Sequence, residues 1–191
     1  MDQKIWFTSD LHLGHGKILE YDNRPFTDIE EHDTVLIDNW NSVVGQGDIV
    51  YYLGDFALTT AEHTKYLRSR LNGSIRLVAG NHDDANRHLS GCWEWVRDLY
   101  DLKMPDPDAP QGVRKLILCH YPLASWRGSG RGNWMIHGHC HHHLPDDPNL
   151  LRMDIGANGW NYMPLSYAQI KAYMTEREQQ IISRNGNISV I

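Results

Sequence analysis

The sequence predicts an α/β fold, and three observations lead there. Apolar runs of strand length recur at Ile5-Trp6-Phe7, at 49–53, at Leu77-Val78-Ala79 and at Leu116-Ile117-Leu118. Between the first three, apolar residues return at helical spacing, which is the strand–helix–strand alternation of βαβ units. Asp, Asn and His gather directly behind the runs, and ligands bind at the carboxyl ends of strands in open α/β sheets.

Taken in order, residues 4–9 read as a first buried strand, and Gly14-His15-Gly16 opens a short helix ending near Tyr21. Arg24-Pro25-Phe26 is a loop, and Thr27 or Asp28 caps the next helix. Val35, Leu36, Trp40, Val43 and Val44 keep helical spacing there until Gly45 stops it. Residues 49–53 form a second strand. Thr59 or Thr60 caps a helix reaching about Leu71, and Asn72-Gly73 turns the chain into a strand over 75–79.

The second half changes character. Strand-like runs at 93–96, 114–119, 133–136 and 151–155 are separated mainly by loops. Residues 104–112 carry three prolines and read as an exposed loop. Ser166 caps a closing helix to about Gln179, and 180–191 read as a hairpin around Asn185-Gly186. Neither a repeat nor a linker divides the chain, so residues 1–191 are read as one domain.

A chain of 191 residues with 41% apolar content can bury a sizeable core without staples. No run approaches the length of a membrane span. The N-terminus enters an apolar strand without the basic start and cleavage site of a signal peptide. A cytoplasmic protein with no membrane partner is expected; the oligomeric state is left open. Cys92, Cys119 and Cys140 are odd in number and lack CxxC spacing, so no disulfide framework is implied. Cys119 and Cys140 stand beside candidate ligand histidines and read as small packed hydrophobes in preference to thiolate ligands. The net charge of −6 argues against a broad basic face that coats nucleic acid. Nucleic acid enters only as a substrate, because bound divalent cations can invert the local field of an acidic protein.

Five polar clusters follow one another: Asp10-Leu11-His12, Gly54-Asp55, Gly80-Asn81-His82-Asp83, His120-Tyr121-Pro122 and Gly138-His139-Cys140-His141. Each offers the hard oxygen or imidazole nitrogen that divalent metals take. Four directly follow an apolar run, and Trp134-Met135-Ile136 leads into the fifth, so the clusters converge on one sheet edge as a dinuclear metal site. In order and composition they resemble the calcineurin-like metallophosphoesterases, whose pattern is D-x-H, G-D, G-N-H-[DE], a lone His and G-H-x-H. The resemblance runs from Asp10 to His141.

It implies two packed mixed β-sheets flanked by helices, and two divalent ions (manganese, iron, zinc or nickel). It makes Asp55 the bridge between them. Asp10, His12 and His141 would complete one metal site, and Asn81, His120 and His139 the other. Asp10 and His12 are expected to project to one side of an extended backbone, with His139 and His141 repeating that geometry. A water or hydroxide held between the ions would attack phosphorus. His82 is implied as the acid that protonates the leaving oxygen, and Asp83 as the carboxylate that orients its imidazole.

Arginine suits phosphate as a bidentate donor. Arg24 in the loop after the first block, and Arg127 and Arg131 in the Gly-rich stretch 125–131, are candidates to hold a substrate phosphate, with Trp126 to stack a base. His15 is a candidate to line the cleft. His142 and His143 read as an exposed polar loop, and His32, His63 and His88 as surface residues. A phosphodiesterase acting on a nucleotide-like or small substrate is the leading expectation. The alternatives are a phosphomonoesterase or protein phosphatase of the same family, a nuclease using the same metals, and a non-catalytic metal-binding interaction module.

Overall fold

A computed structural model describes residues 3–185. Four strands, β1 (Ile5–Thr8), β2 (Ile49–Tyr52), β3 (Ser74–Val78) and β4 (Trp95–Arg97), pair in parallel. A two-residue strand, β9 (Leu165–Ser166), joins β1 antiparallel, giving the order β4-β3-β2-β1-β9. The second sheet has the order β5-β6-β7-β8, from β5 (Leu99–Pro105), β6 (Val113–Cys119), β7 (Trp134–His137) and β8 (Arg152–Asp154). Here β5 runs antiparallel to β6, and the other three strands are parallel. Both sheets are therefore mixed, and helices flank them, as the family resemblance implies.

Side-chain alternation divides β2 between two cores. Ile49, Tyr51 and Leu53 face the second sheet and pack with Phe7, Leu118, Trp134 and Ile136. Val50 and Tyr52 face the opposite way, toward helices α2 (Ile29–Val43) and α3 (Ala61–Ser69), which bring Leu36, Ile37, Trp40 and Leu67. Trp40 and Trp134 are fully buried, one in each core. Burying one such side chain contributes on the order of 2–3 kcal/mol. A long helix, α4 (Tyr167–Asn185), lays Ile170, Met174 and Ile181 into the inter-sheet core.

The caps follow the sequence. Asp28 accepts from the backbone N–H of Glu31, and Thr60 from that of His63. Glu31 reaches back to the N–H and hydroxyl of Thr27. Ser166 and Gln169 bond reciprocally at the start of α4. A short helix, α1 (Ile18–Tyr21), ends where expected.

Three expectations are corrected. The stretch 104–112 does not stay an exposed loop throughout. Tyr100, Leu102 and Met104 alternate inward on β5, and Asp106 and Ala109 are buried. The residues expected to open a hairpin, 180–185, continue α4, while 186–191 lie outside the described residues. His32 is fully buried rather than on the surface. No helix among the described residues is long and apolar enough to cross a membrane.

Candidate metal centre

Because β1, β2 and β3 are parallel, as are β6 and β7, each polar cluster emerges from a carboxyl end. The loops are stitched to one another. Asp10 N–H donates to Gly54 O, His12 N–H to Asp55 O, and Gly138 N–H to His120 O. Ser9 Oγ donates to Leu53 O at 2.7 Å. A side chain at Gly138 would collide with Ser9 Oγ and the Asp10 carboxylate, so only glycine allows this approach.

Two groups result. Asp10, His12 and His141 each place a ligand atom within 4.8 Å of the others, and Asp55, His120 and His139 do the same. Asn81 Oδ1 lies 3.1 Å from His120 Nε2 and joins the second group. Asp55 connects them: its Oδ2 is 3.6 Å from His12 Nε2 and 3.4 Å from His120 Nε2. All seven expected ligands therefore come together.

Their backbone is not extended, contrary to expectation. Asp10, His12, Asp55, His139 and His141 all have φ between 47° and 68°, in the left-handed region. Non-glycine residues there are strained, and such strain collects where a site dictates side-chain direction. His139 and His141 nonetheless divide between the groups, while Asp10 and His12 share one.

Hydrogen bonds orient the rings. His120 Nδ1 donates to Leu53 O at 2.7 Å, which turns Nε2 toward Asp55. Asp22 Oδ2 holds His141 Nδ1 at 2.5 Å, which turns His141 Nε2 toward Asp10. A carboxylate or carbonyl behind a histidine is the usual outer support of a metal ligand. Asp22 is a candidate site residue with no signal in the sequence, since no spacing rule joins it to a histidine 119 positions away.

Electrostatics fit the same arrangement. Burial would raise the Asp55 carboxyl, but the hydrogen bond and charge of His120 hold it at about 2. Burial likewise opposes ionisation of Asp10, yet His141, His120 and His12 keep it below the ordinary range. Burial drives His12 down to about 3, leaving the neutral imidazole that metals bind. His141 is raised to about 9, because Asp10 and Asp22 overcome its burial.

The donor set suits a divalent cation in each group. His12 Nε2 and His141 Nε2 face each other at 3.2 Å, and His12 Nδ1 is buried with no partner among the described residues. Two imidazole nitrogens aimed at one point, with carboxylates beside them, are what a borderline cation satisfies in place of the proton on His141.

His82 stands outside both groups. Its backbone N–H donates to Asp55 Oδ1 at 2.9 Å, and its exposed ring lies 5.5 Å from that of His12 and 6.3 Å from that of His15. The rings of His82 and His15 line a cleft of about 300 Å³ over the candidate ligands.

Asp83 does not orient the His82 imidazole. Its carboxylate is buried and accepts from the backbone N–H groups of Asp55, Phe56 and Gly80, clamping the second and third clusters together.

Nor do the arginines reach substrate space. Arg24 is buried and donates to Leu11 O, Asp10 O, Asp22 and His32. His32 passes the chain of bonds to Asp33, which accepts from Gly14 N–H. Arg24 therefore braces the loop of Asp10 from behind. Arg127 pairs with Asp101 and, with Arg131, borders a recess along β5 and β6 away from the ligands. Trp126 is buried and bonds Asn133 O, so no base can stack on it. His142 is exposed as expected, but its ring bonds Gly156 O. Cys119 and Cys140 belong to neither ligand group, and burial raises both thiols.

No protein-family model matches the chain. It is 35% identical over 171 residues to the uncharacterized protein MJ1445 of Methanocaldococcus jannaschii, a match covering 86% of this chain and 87% of that one. It is 32% identical over 180 residues to the gene 66 protein of Mycobacterium phage L5, covering 81% and 86% respectively. The crystal structure of the protein of unknown function AQ665 from Aquifex aeolicus superposes with a TM-score of 0.68 at 20% identity. That match covers 90% of this chain and all of AQ665, and it shows a shared fold.

Proposed function

This chain belongs to the family of the Methanocaldococcus jannaschii and phage L5 proteins, and we propose that it is a dinuclear metal-dependent phosphoesterase of the calcineurin-like type, with diesters its favoured substrates. The observation that carries this reading is Asp55, one carboxylate oxygen of which faces a histidine of each ligand group.

Asp10, His12 and His141 would hold one divalent ion, and Asn81, His120 and His139 the other, with Asp55 shared. Two such ions would lower the pKa of a water nucleophile and neutralise charge developing on the phosphoryl group. The protein's part is to hold the ligands still. Leu53 O and Asp22 lock two imidazoles, Asp83 clamps two loops, and Arg24 braces a third.

His82 is the proton donor to the leaving oxygen. Its ring overlooks the cleft without joining either ligand group, where a general acid is needed. A non-catalytic metal scaffold would have no use for it. The cleft is open and no separate cap closes over it among the described residues, which favours a diester over a monoester dianion. The three cysteines are unpaired, in keeping with a reducing cytoplasm.

Manganese-loaded protein assayed on bis-p-nitrophenyl phosphate tests the reading. Metal-dependent turnover is expected; its absence with every one of manganese, iron, zinc and nickel would end it.

A further inference from the structure

The walls of the cleft describe the part of the substrate that is not phosphate. Apart from the candidate ligands, His15, His82 and Asp22, the lining consists of Ile18, Tyr21 and Leu58. Tyr21 is 67% exposed and Leu58 42%, so two large apolar side chains stand in water at the mouth of the site. Apolar surface left exposed beside a binding cleft marks what the cleft receives.

The lining contains no lysine or arginine. Lys17 and Arg24 act on His15 only through space, and Arg24 is committed to Asp22 and backbone carbonyls. A second phosphate, or a carboxylate near the first, would meet no lysine or arginine, and the proton that His82 carries is committed to the leaving oxygen. It would instead lie beside the carboxylate of Asp22.

The walls are also fixed relative to the ligands. Tyr21 immediately precedes Asp22, whose carboxylate holds His141. Leu58 follows Asp55 by three residues, and its N–H donates to Leu13 O at 3.1 Å. A preformed apolar surface costs little ordering on binding.

We propose that the substrate carries its only charge on the phosphate bound at the metals, and that its ester group is uncharged and apolar, seated against Tyr21, Leu58 and Ile18. This rests on the phosphoesterase reading. Bulk polyanions, nucleoside diphosphates and sugar bisphosphates are thereby disfavoured.

Calorimetric titration of manganese-loaded protein tests it, with inorganic phosphate, methylphosphonate, phenylphosphonate and 2-carboxyethylphosphonate as probes. Phenylphosphonate should bind about tenfold tighter than methylphosphonate, and 2-carboxyethylphosphonate more weakly than either. In Tyr21→Ala/Leu58→Ala the phenyl preference should collapse, while manganese content and inorganic phosphate affinity stay as in the wild type. Equal affinities in the wild type, a preference for the carboxylate, or a phenyl preference that survives the double substitution would overturn the proposal. Failure of phosphate and all three phosphonates to bind would instead contradict the phosphoesterase reading, and this inference with it.

Discussion

Asp22 Oδ2 lies 2.5 Å from Nδ1 of His141, joining the loop after α1 to the loop after β7. The same carboxylate takes two bonds from Arg24, whose other donors hold the backbone of Asp10 and Leu11. One acid therefore sets both the ring orientation of a candidate ligand and the position of the loop that carries two others.

Removing that acid should loosen the metal without removing a ligand. Asp22→Ala is expected to weaken divalent-ion affinity by about 10–100-fold, the usual effect of losing a ligand's outer partner. Competition against a chelator of known affinity reads the change, and Asp22→Asn, which keeps an acceptor, should recover part of it. Unchanged affinity in both variants would make the contact incidental.

His82→Ala should keep the metals and lose protonation of the leaving group. The loss on alkyl or ribose esters should be about 10²–10⁴-fold. It should be much smaller on p-nitrophenyl esters, whose leaving group needs little help. A kcat/KM series across leaving groups of graded pKa is the check. A uniform loss, or loss of metal, would leave His82 only the structural role suggested by its N–H bond to Asp55.

The open cleft predicts that bis-p-nitrophenyl phosphate is turned over at least as well as p-nitrophenyl phosphate. The ratio of kcat/KM values measures this. A large monoester preference would move the assignment to a phosphomonoesterase.

Away from the site, Asp106 accepts from Lys171 and Tyr167 of α4 while almost wholly buried. Burial would raise its carboxyl, but these bonds hold it below the ordinary 3.8. A depressed carboxyl contributes stability that is present above its unfolded value and lost as pH falls through the folded one. Asp106→Ala should therefore cost about 1–3 kcal/mol at neutral pH, and the deficit should shrink toward the acid end, below about pH 4. Urea unfolding at pH 7 and pH 3 reads both. A deficit independent of pH would point to packing alone.

The candidate ligands were legible in the sequence because their spacing is local, each cluster beginning within three residues of an apolar run. The elements missed were those without such a signal. β9 has only two residues. The inward alternation of Tyr100, Leu102 and Met104 on β5 was masked by the prolines that follow. Arg24 invited a phosphate role because nothing in sequence reveals burial or its bonds to His32 and Asp22. Asp83 is hidden for a related reason. Adjacency to His82 suggested a pair, whereas its oxygens turn to three backbone N–H groups, one of them as distant as Phe56. Left-handed φ at five ligands is equally invisible in residue type, since Asp and His only modestly favour it.

The central claim is that one carboxylate, Asp55, serves two metal ions. Elemental analysis of purified protein, paired with turnover of a diester, tests it most directly in the wild type, Asp55→Asn and His141→Ala. Two divalent ions per chain are predicted for the wild type, with activity lost on chelation and restored on re-addition. Asp55→Asn should deplete both ions and abolish turnover, while His141→Ala should deplete mainly one. Full turnover in metal-free protein, or an Asp55→Asn variant that keeps both ions and near-normal activity, would contradict the account.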